Sequence, residues 1–231
     1  MHFNKTKDLP VTEPVKLSGP MLPPASGNGK SLVVLLHGYG SDGRDLIGLG
    51  QFWHDSFPDT IFVAPNAPEV CGVISTGYQW FPVDFDRERD FSRMEGAAKV
   101  QPVVESFLKD LWAQTGLGPS ETILVGFSQG AMMALYTGLR LTTPLKGIIA
   151  FSGLLISPEK LEAEIASKPP VLLVHGDIDE VVPVIGSEAA LPVLLNLSVD
   201  AQLHISSGFG HTIAQDGLEA ATDFLRRHLL P

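Results

Sequence analysis

The chain has 231 residues, of which 44% are hydrophobic and 18% charged, a balance that excludes an intrinsically disordered protein and suits one globular domain. A formal net charge of −10 at pH 7 would repel a phosphate backbone or an anionic membrane surface, which excludes nucleic-acid binding from the reading. The single cysteine, Cys71, excludes an internal disulfide and any Cys-x-x-Cys metal or redox site.

Residues 1–30 carry five prolines and the stretch Ser26-Gly27-Asn28-Gly29, so they read as an extended arm with one edge strand expected at Val15–Leu17. The opening Met1–Asp8 lacks the apolar core of a signal peptide. The longest apolar runs, such as Leu32–Leu36, fall far short of a membrane span. A soluble, cytoplasmic protein is expected. From residue 31 to 231 short strand runs alternate with longer helical patterns. Strand Ser31–Leu36 precedes a helix over 42–55, and strand Thr60–Ala64 precedes a long segment, Pro65–Asp90, of the kind that is often functional. A helix over 91–114 follows, with Val100, Val104, Phe107, Leu108 and Leu111 at helical spacing and Pro102 expected to bend its middle. Strand Thr122–Val125, helix 130–141, strand Gly147–Phe151, helix 159–167, strand Val171–Val174 and helix 185–196 come next. The chain closes with strand Ala201–Ile205 and helix 214–229. All the strands but the last are continuous apolar runs, as expected of strands covered on both faces. In the last, Leu203 and Ile205 alternate with polar neighbours, which places it near an edge. This alternation predicts an α/β fold: one domain, a mostly parallel central sheet and helices on both faces.

Gly126-Phe127-Ser128-Gln129-Gly130 follows the apolar run Ile123-Leu124-Val125 and opens the small-residue helix at Ala131. Strand, turn and helix in that order are what a nucleophile elbow requires, because a tight turn must project the serine hydroxyl. A serine at its ordinary pKa needs a histidine base and a carboxylate to orient it. Among seven histidines, His211 stands in the glycine-rich Gly208-Phe209-Gly210-His211 loop after the last strand, where a base should lie. The strand Val171–Val174 runs into His175-Gly176-Asp177-Ile178-Asp179, offering two aspartates. One would orient His211 and the other would tie down the turn; spacing alone does not separate them. One oxyanion-hole N–H is expected from Gln129, the other from the glycine-rich loop Leu36-His37-Gly38-Tyr39-Gly40-Ser41-Asp42-Gly43. A metal site on His175, Asp177, Asp179 and His211 is the weaker reading, since neither histidine has close ligand spacing.

The blocks Leu35-Leu36-His37-Gly38-Tyr39-Gly40, Ala64-Pro65-Asn66-Ala67-Pro68, Gln79-Trp80-Phe81, Gly126–Gly130, His175-Gly176-Asp177 with Asp179 and Val182-Pro183, and Gly210-His211 occur in that order. Over residues 31–229 the chain resembles the phospholipase/carboxylesterase family of α/β hydrolases, which includes acyl-protein thioesterases and small bacterial carboxylesterases. The resemblance implies Ser128 as nucleophile, Asp179 as acid and His211 as base, with the N–H groups of Tyr39 and Gln129 forming the oxyanion hole. It also implies Trp80, with its neighbour Phe81, as residues shaping the substrate site. No cap domain is expected, because residues 152–170 already hold a short helix and cannot also build a second core. The expected activity is hydrolysis of small or linear carboxylic esters or thioesters, with no cofactor and no metal. Lysophospholipase or acyl-protein thioesterase activity is the alternative, and a catalytically silent binding module is the alternative outside enzymology. A small-molecule ester is the expected partner, with no nucleic acid and no integral membrane association; a homodimer is left open.

Overall fold

The computed structural model describes residues 15–72, 76–83 and 89–230. Its main sheet has seven strands: β1 (Met21–Leu22), β2 (Ser31–Leu36), β3 (Thr60–Val63), β6 (Thr122–Phe127), β7 (Gly147–Phe151), β8 (Val171–Gly176) and β9 (Ala201–Ser206). The remaining strands, β4 (Glu69–Val70) and β5 (Tyr78–Gln79), form a separate antiparallel hairpin. Spatial order is β1-β3-β2-β6-β7-β8-β9, and every pairing in the main sheet is parallel except β1 with β3.

Residue alternation along the strands divides the core in two. Leu32, Val34, Leu36, Leu124, Ile148, Ala150 and Leu173 face α2 (Arg89–Thr115), α3 (Gln129–Gly138) and α5 (Ile185–Asn196). Val33, Leu35, Ile123, Val125, Ile149, Leu172 and Val174 face α1 (Gly43–Trp53) and α6 (Gln215–Leu229). With both faces covered, apolar residues are needed at consecutive positions, hence the unbroken Val/Leu/Ile runs. Asp42 caps α1, its carboxylate accepting the N–H groups of Arg44 (2.8 Å) and Asp45 (3.0 Å). Trp53 Nε1 donates to Thr222 Oγ1 at 2.8 Å, locking α1 against α6.

The edge strand of the arm lies at Met21–Leu22, not at Val15–Leu17. The antiparallel register sets Met21 opposite Val63, where β3 ends, so Val15–Leu17 has no part of β3 opposite it. Helix α2 starts at Arg89, and the preceding segment contains the β4–β5 hairpin, which its sequence did not announce. Helix α2 runs through Pro102 as one continuous element. β9 is an edge, as its alternation implied. The connection from β7 to β8 contains only α4 (Pro158–Glu164), so no cap domain is inserted there.

The chain reverses its direction of winding at β2, which has β3 on one side and β6 on the other. Loops after such adjacent strands part and leave a crevice at their carboxyl ends. His37–Gly40 leave β2 there, and Ser128 leaves β6.

Candidate active site

Ser128 sits between β6 and α3 with φ 54° and ψ −117°, a backbone conformation that costs a non-glycine residue roughly 1–3 kcal/mol. The flanking glycines make the turn possible. A Cβ at Gly126 would lie 2.3 Å from the Gly130 carbonyl oxygen, and one at Gly130 would lie 1.9 Å from the Leu36 carbonyl oxygen. The backbone therefore closes tightly under the serine and lifts its side chain toward the crevice. Helix α3 begins at Gln129, so its positive amino end faces the same place.

His211, on the loop after β9, brings Nε2 to 2.9 Å from Ser128 Oγ. Its Nδ1 lies 2.7 Å from Asp179 Oδ2, on the loop after β8. The second carboxylate oxygen, Oδ1, accepts the N–H groups of Val181 and Val182, both at 2.9 Å. Burial opposes the charge on Asp179, but the His211 hydrogen bond and the two backbone N–H groups outweigh it. They hold the carboxyl below the usual carboxylate range. An ionised Asp179 fixes the proton of neutral His211 on Nδ1, which leaves the Nε2 lone pair facing the serine hydroxyl. The ring of His211 is steadied by Phe127, with centroids 4.9 Å apart.

Geometry separates the two aspartates that spacing could not. Asp177 is exposed and turns away to accept Ser207 Oγ at 3.0 Å and the Gly208 N–H at 2.7 Å, so it ties the His211 loop to β8. His175 is fully enclosed. Its Nε2 lies 2.7 Å from the Val182 carbonyl and 3.3 Å from Asp179 Oδ2, while Nδ1 meets Ser187 Oγ at 2.7 Å. Among the described residues no group of His, Cys, Asp and Glu side chains is arranged to hold a metal ion.

A cavity of about 330 Å³ opens beside Ser128, lined by Tyr39, Phe81, Val83, Gln129, Met132 and Val182 among others. Its walls are mostly apolar. Phe81 borders it, but Trp80 does not shape it directly: the ring is fully buried beneath the loop after β2, and Nε1 donates to the His37 carbonyl at 2.8 Å. The indole N–H needs an acceptor once buried, and that backbone carbonyl supplies it.

Sequence reasoning missed a clamp on this loop. Gly40 N donates to the Tyr78 carbonyl (2.9 Å) and Tyr78 N to the Ser41 carbonyl (2.8 Å), stitching the hairpin to the loop after β2. The Gln129 side chain accepts Trp80 N–H (2.9 Å) and donates to the Phe81 carbonyl (2.7 Å), tying the hairpin segment to the elbow. Only the Gln79-Trp80-Phe81 block hinted at this role, and it suggested a substrate contact.

A phospholipase/carboxylesterase family model matches residues 21–229. A crystal structure of esterase PE8 is similar at 74% identity with a TM-score of 0.91, covering 93% of this chain and all of that one. Acyl-protein thioesterase 1 of Saccharomyces cerevisiae is 30% identical over 87% of this chain and 93% of its own length. Esterase YpfH of Escherichia coli is 29% identical over 85% and 82%.

Proposed function

The chain belongs to the phospholipase/carboxylesterase family and is a carboxylic ester hydrolase, and from that premise we propose that it works through an acyl-enzyme on Ser128. His211 Nε2 takes the hydroxyl proton as Ser128 Oγ attacks the carbonyl carbon, and the tetrahedral oxyanion is received by the N–H groups of Tyr39 and Gln129. The imidazolium, steadied by Asp179, then gives its proton to the leaving alkoxide. Water, activated by the same imidazole, cleaves the acyl-enzyme and restores the serine. The observation that carries this reading is the continuous Ser128–His211–Asp179 chain, 2.9 Å and 2.7 Å long at its two links.

We infer small or linear acyl groups as substrates, because a cavity of about 330 Å³ lies at the low end for small-molecule sites and is lined by Phe81, Met132 and Val182. Thioesters are the second reading, favoured by the likeness to a thioesterase along nearly its whole length. The test is a panel of p-nitrophenyl esters and matched thioesters of graded acyl length, run on the native protein and Ser128→Ala, with a fluorophosphonate label. Loss of turnover by about 10⁴-fold or more, together with loss of labelling, is expected for Ser128→Ala. Near-normal hydrolysis by that variant would refute the assignment of Ser128, whereas a native chain that turns over no ester and takes no label would leave the binding-module reading in its place.

A further inference from the structure

His37, the residue that ends the apolar run of β2, is fully buried, and both ring nitrogens are engaged. Nε2 lies 2.9 Å from the backbone N of Ala67, and Nδ1 lies 2.8 Å from the Gly38 carbonyl oxygen. A backbone N–H can only donate, so Nε2 is the acceptor and bears no proton. The proton of the neutral ring is therefore on Nδ1 and is donated to the Gly38 carbonyl. Burial pushes the imidazole below its ordinary pKa against the opposing pull of that hydrogen bond and of Asp42 and Asp45, which favours this neutral form.

The Gly38 carbonyl and the Tyr39 N–H belong to one planar, trans peptide unit, in which the two groups point in opposite directions. Whatever fixes the carbonyl fixes the N–H. This unit stands against the nucleophile: a Cβ built on Gly38 would lie 3.4 Å from the Ser128 Cβ, and Tyr39 borders the same cavity as Ser128. Behind it, Trp80 Nε1 holds the carbonyl of His37 itself, and the two rings pack with centroids 5.5 Å apart. Among the described residues no backbone or side-chain acceptor takes the Tyr39 N–H.

We propose that His37 is the positioning residue of the oxyanion hole: its Nδ1–H holds the Gly38 carbonyl back, so that the Tyr39 N–H stays aimed at the oxygen of the tetrahedral intermediate. The proposal rests on the reading of Ser128 as nucleophile and Tyr39 as an oxyanion donor. Because the aimed N–H acts on charge that develops in the transition state, its loss lowers kcat and leaves KM nearly unchanged.

Two substitutions divide the ring's functions. His37→Gln places an amide near the Nε2 position, where its oxygen can accept the Ala67 N–H, but leaves the Gly38 carbonyl without the side-chain donor. His37→Asn is shorter and brings its NH₂ near the Nδ1 position. With rates expressed per active site titrated by a fluorophosphonate end point, His37→Gln should lose about 10²-fold or more in kcat, the scale of one oxyanion donor, with KM within about threefold. His37→Asn should keep at least about tenfold more kcat than His37→Gln, although both lose thermal stability. Equal kcat in the two variants would overturn the proposal, whether both stay high or both fall. If neither variant folds, ¹⁵N NMR of the imidazole-labelled native protein decides: a proton on Nδ1 of His37 supports the proposal and a proton on Nε2 overturns it. Hydrolysis that survives Ser128→Ala would remove the underlying reading and the proposal together. Inactive Ser128→Ala with equal kcat in the two His37 variants removes the proposal alone.

Discussion

Asp179→Asn tests the chain of hydrogen bonds at its least accessible member. The side chain keeps its shape, and an amide oxygen placed at Oδ1 retains the two 2.9 Å bonds from Val181 and Val182. The NH₂ then occupies the Oδ2 position, 2.7 Å from His211 Nδ1 and 3.3 Å from His175 Nε2. Two donors cannot face one another, so His211 gives up its Nδ1 proton and holds one on Nε2 instead. That proton points at Ser128 Oγ, and the base has become a donor. Serine proteases with the equivalent change lose about 10⁴-fold in kcat, or about 5.5 kcal/mol of barrier at 1.36 kcal/mol per decade, and a similar loss is expected here. Stability also falls, by about 1–3 kcal/mol, because a buried charge-assisted bond is replaced by a neutral one. Asp177→Asn is the matched control: its partners Ser207 and Gly208 are exposed, so kcat should stay within a few-fold and stability should change by about 1 kcal/mol or less. The assay is kcat on a soluble p-nitrophenyl ester beside urea unfolding of both variants. If Asp177→Asn is the inactive one, or Asp179→Asn turns over within tenfold of the native rate, the tautomer argument fails.

Asp179 is also informative through pH. Its folded carboxyl lies below the unfolded one, so its ionisation stabilises the fold fully above about pH 4 and that contribution is lost as pH falls through the lower folded value. The stability difference between native protein and Asp179→Asn should therefore shrink as pH falls below about 4. Gly130→Ala should cost about 3 kcal/mol and most activity, since its Cβ would stand 1.9 Å from a backbone oxygen that cannot give way; an unchanged melting temperature would contradict the packing at the elbow. With only α4 between β7 and β8, rate against concentration should saturate simply for short-chain esters and show no jump at the micellar transition, where a sharp rise would reveal a moving cover.

The frame of the fold was readable because it depends on patterns that local sequence carries. A strand covered on both faces must be apolar at successive positions, and β2, β6, β7 and β8 have that pattern. The helices between them begin and end within a few residues of the expected limits, and α1 carries its own cap in Asp42. The β4–β5 hairpin was not readable for the same reason in reverse. Each strand is two residues long, too short for any period, and it exists because it packs against the loop after β2 and is tied through Trp80 and Phe81 to the Gln129 side chain.

The site divides along the same line. Ser128 and His211, the proposed nucleophile and base, could be picked out because that chemistry calls for a position after a strand and before or within a glycine-rich turn. Asp177 and Asp179 were both in the right place, and only the direction of each side chain separates them: one carboxylate turns out to Ser207, the other in to His211. His37 and His175 carry no such positional signature. His37 follows β2 in the loop expected to supply an oxyanion N–H, His175 lies near the end of β8 within the weaker metal reading, and no motif encodes the partners of either ring. His37 takes its N–H from Ala67, while His175 reaches Ser187 and Val182. The proposed nucleophile and base are therefore specified by residue type at a fixed place. The carbonyl contacts of the buried His37 and His175 rings, by contrast, are displayed only by the folded chain.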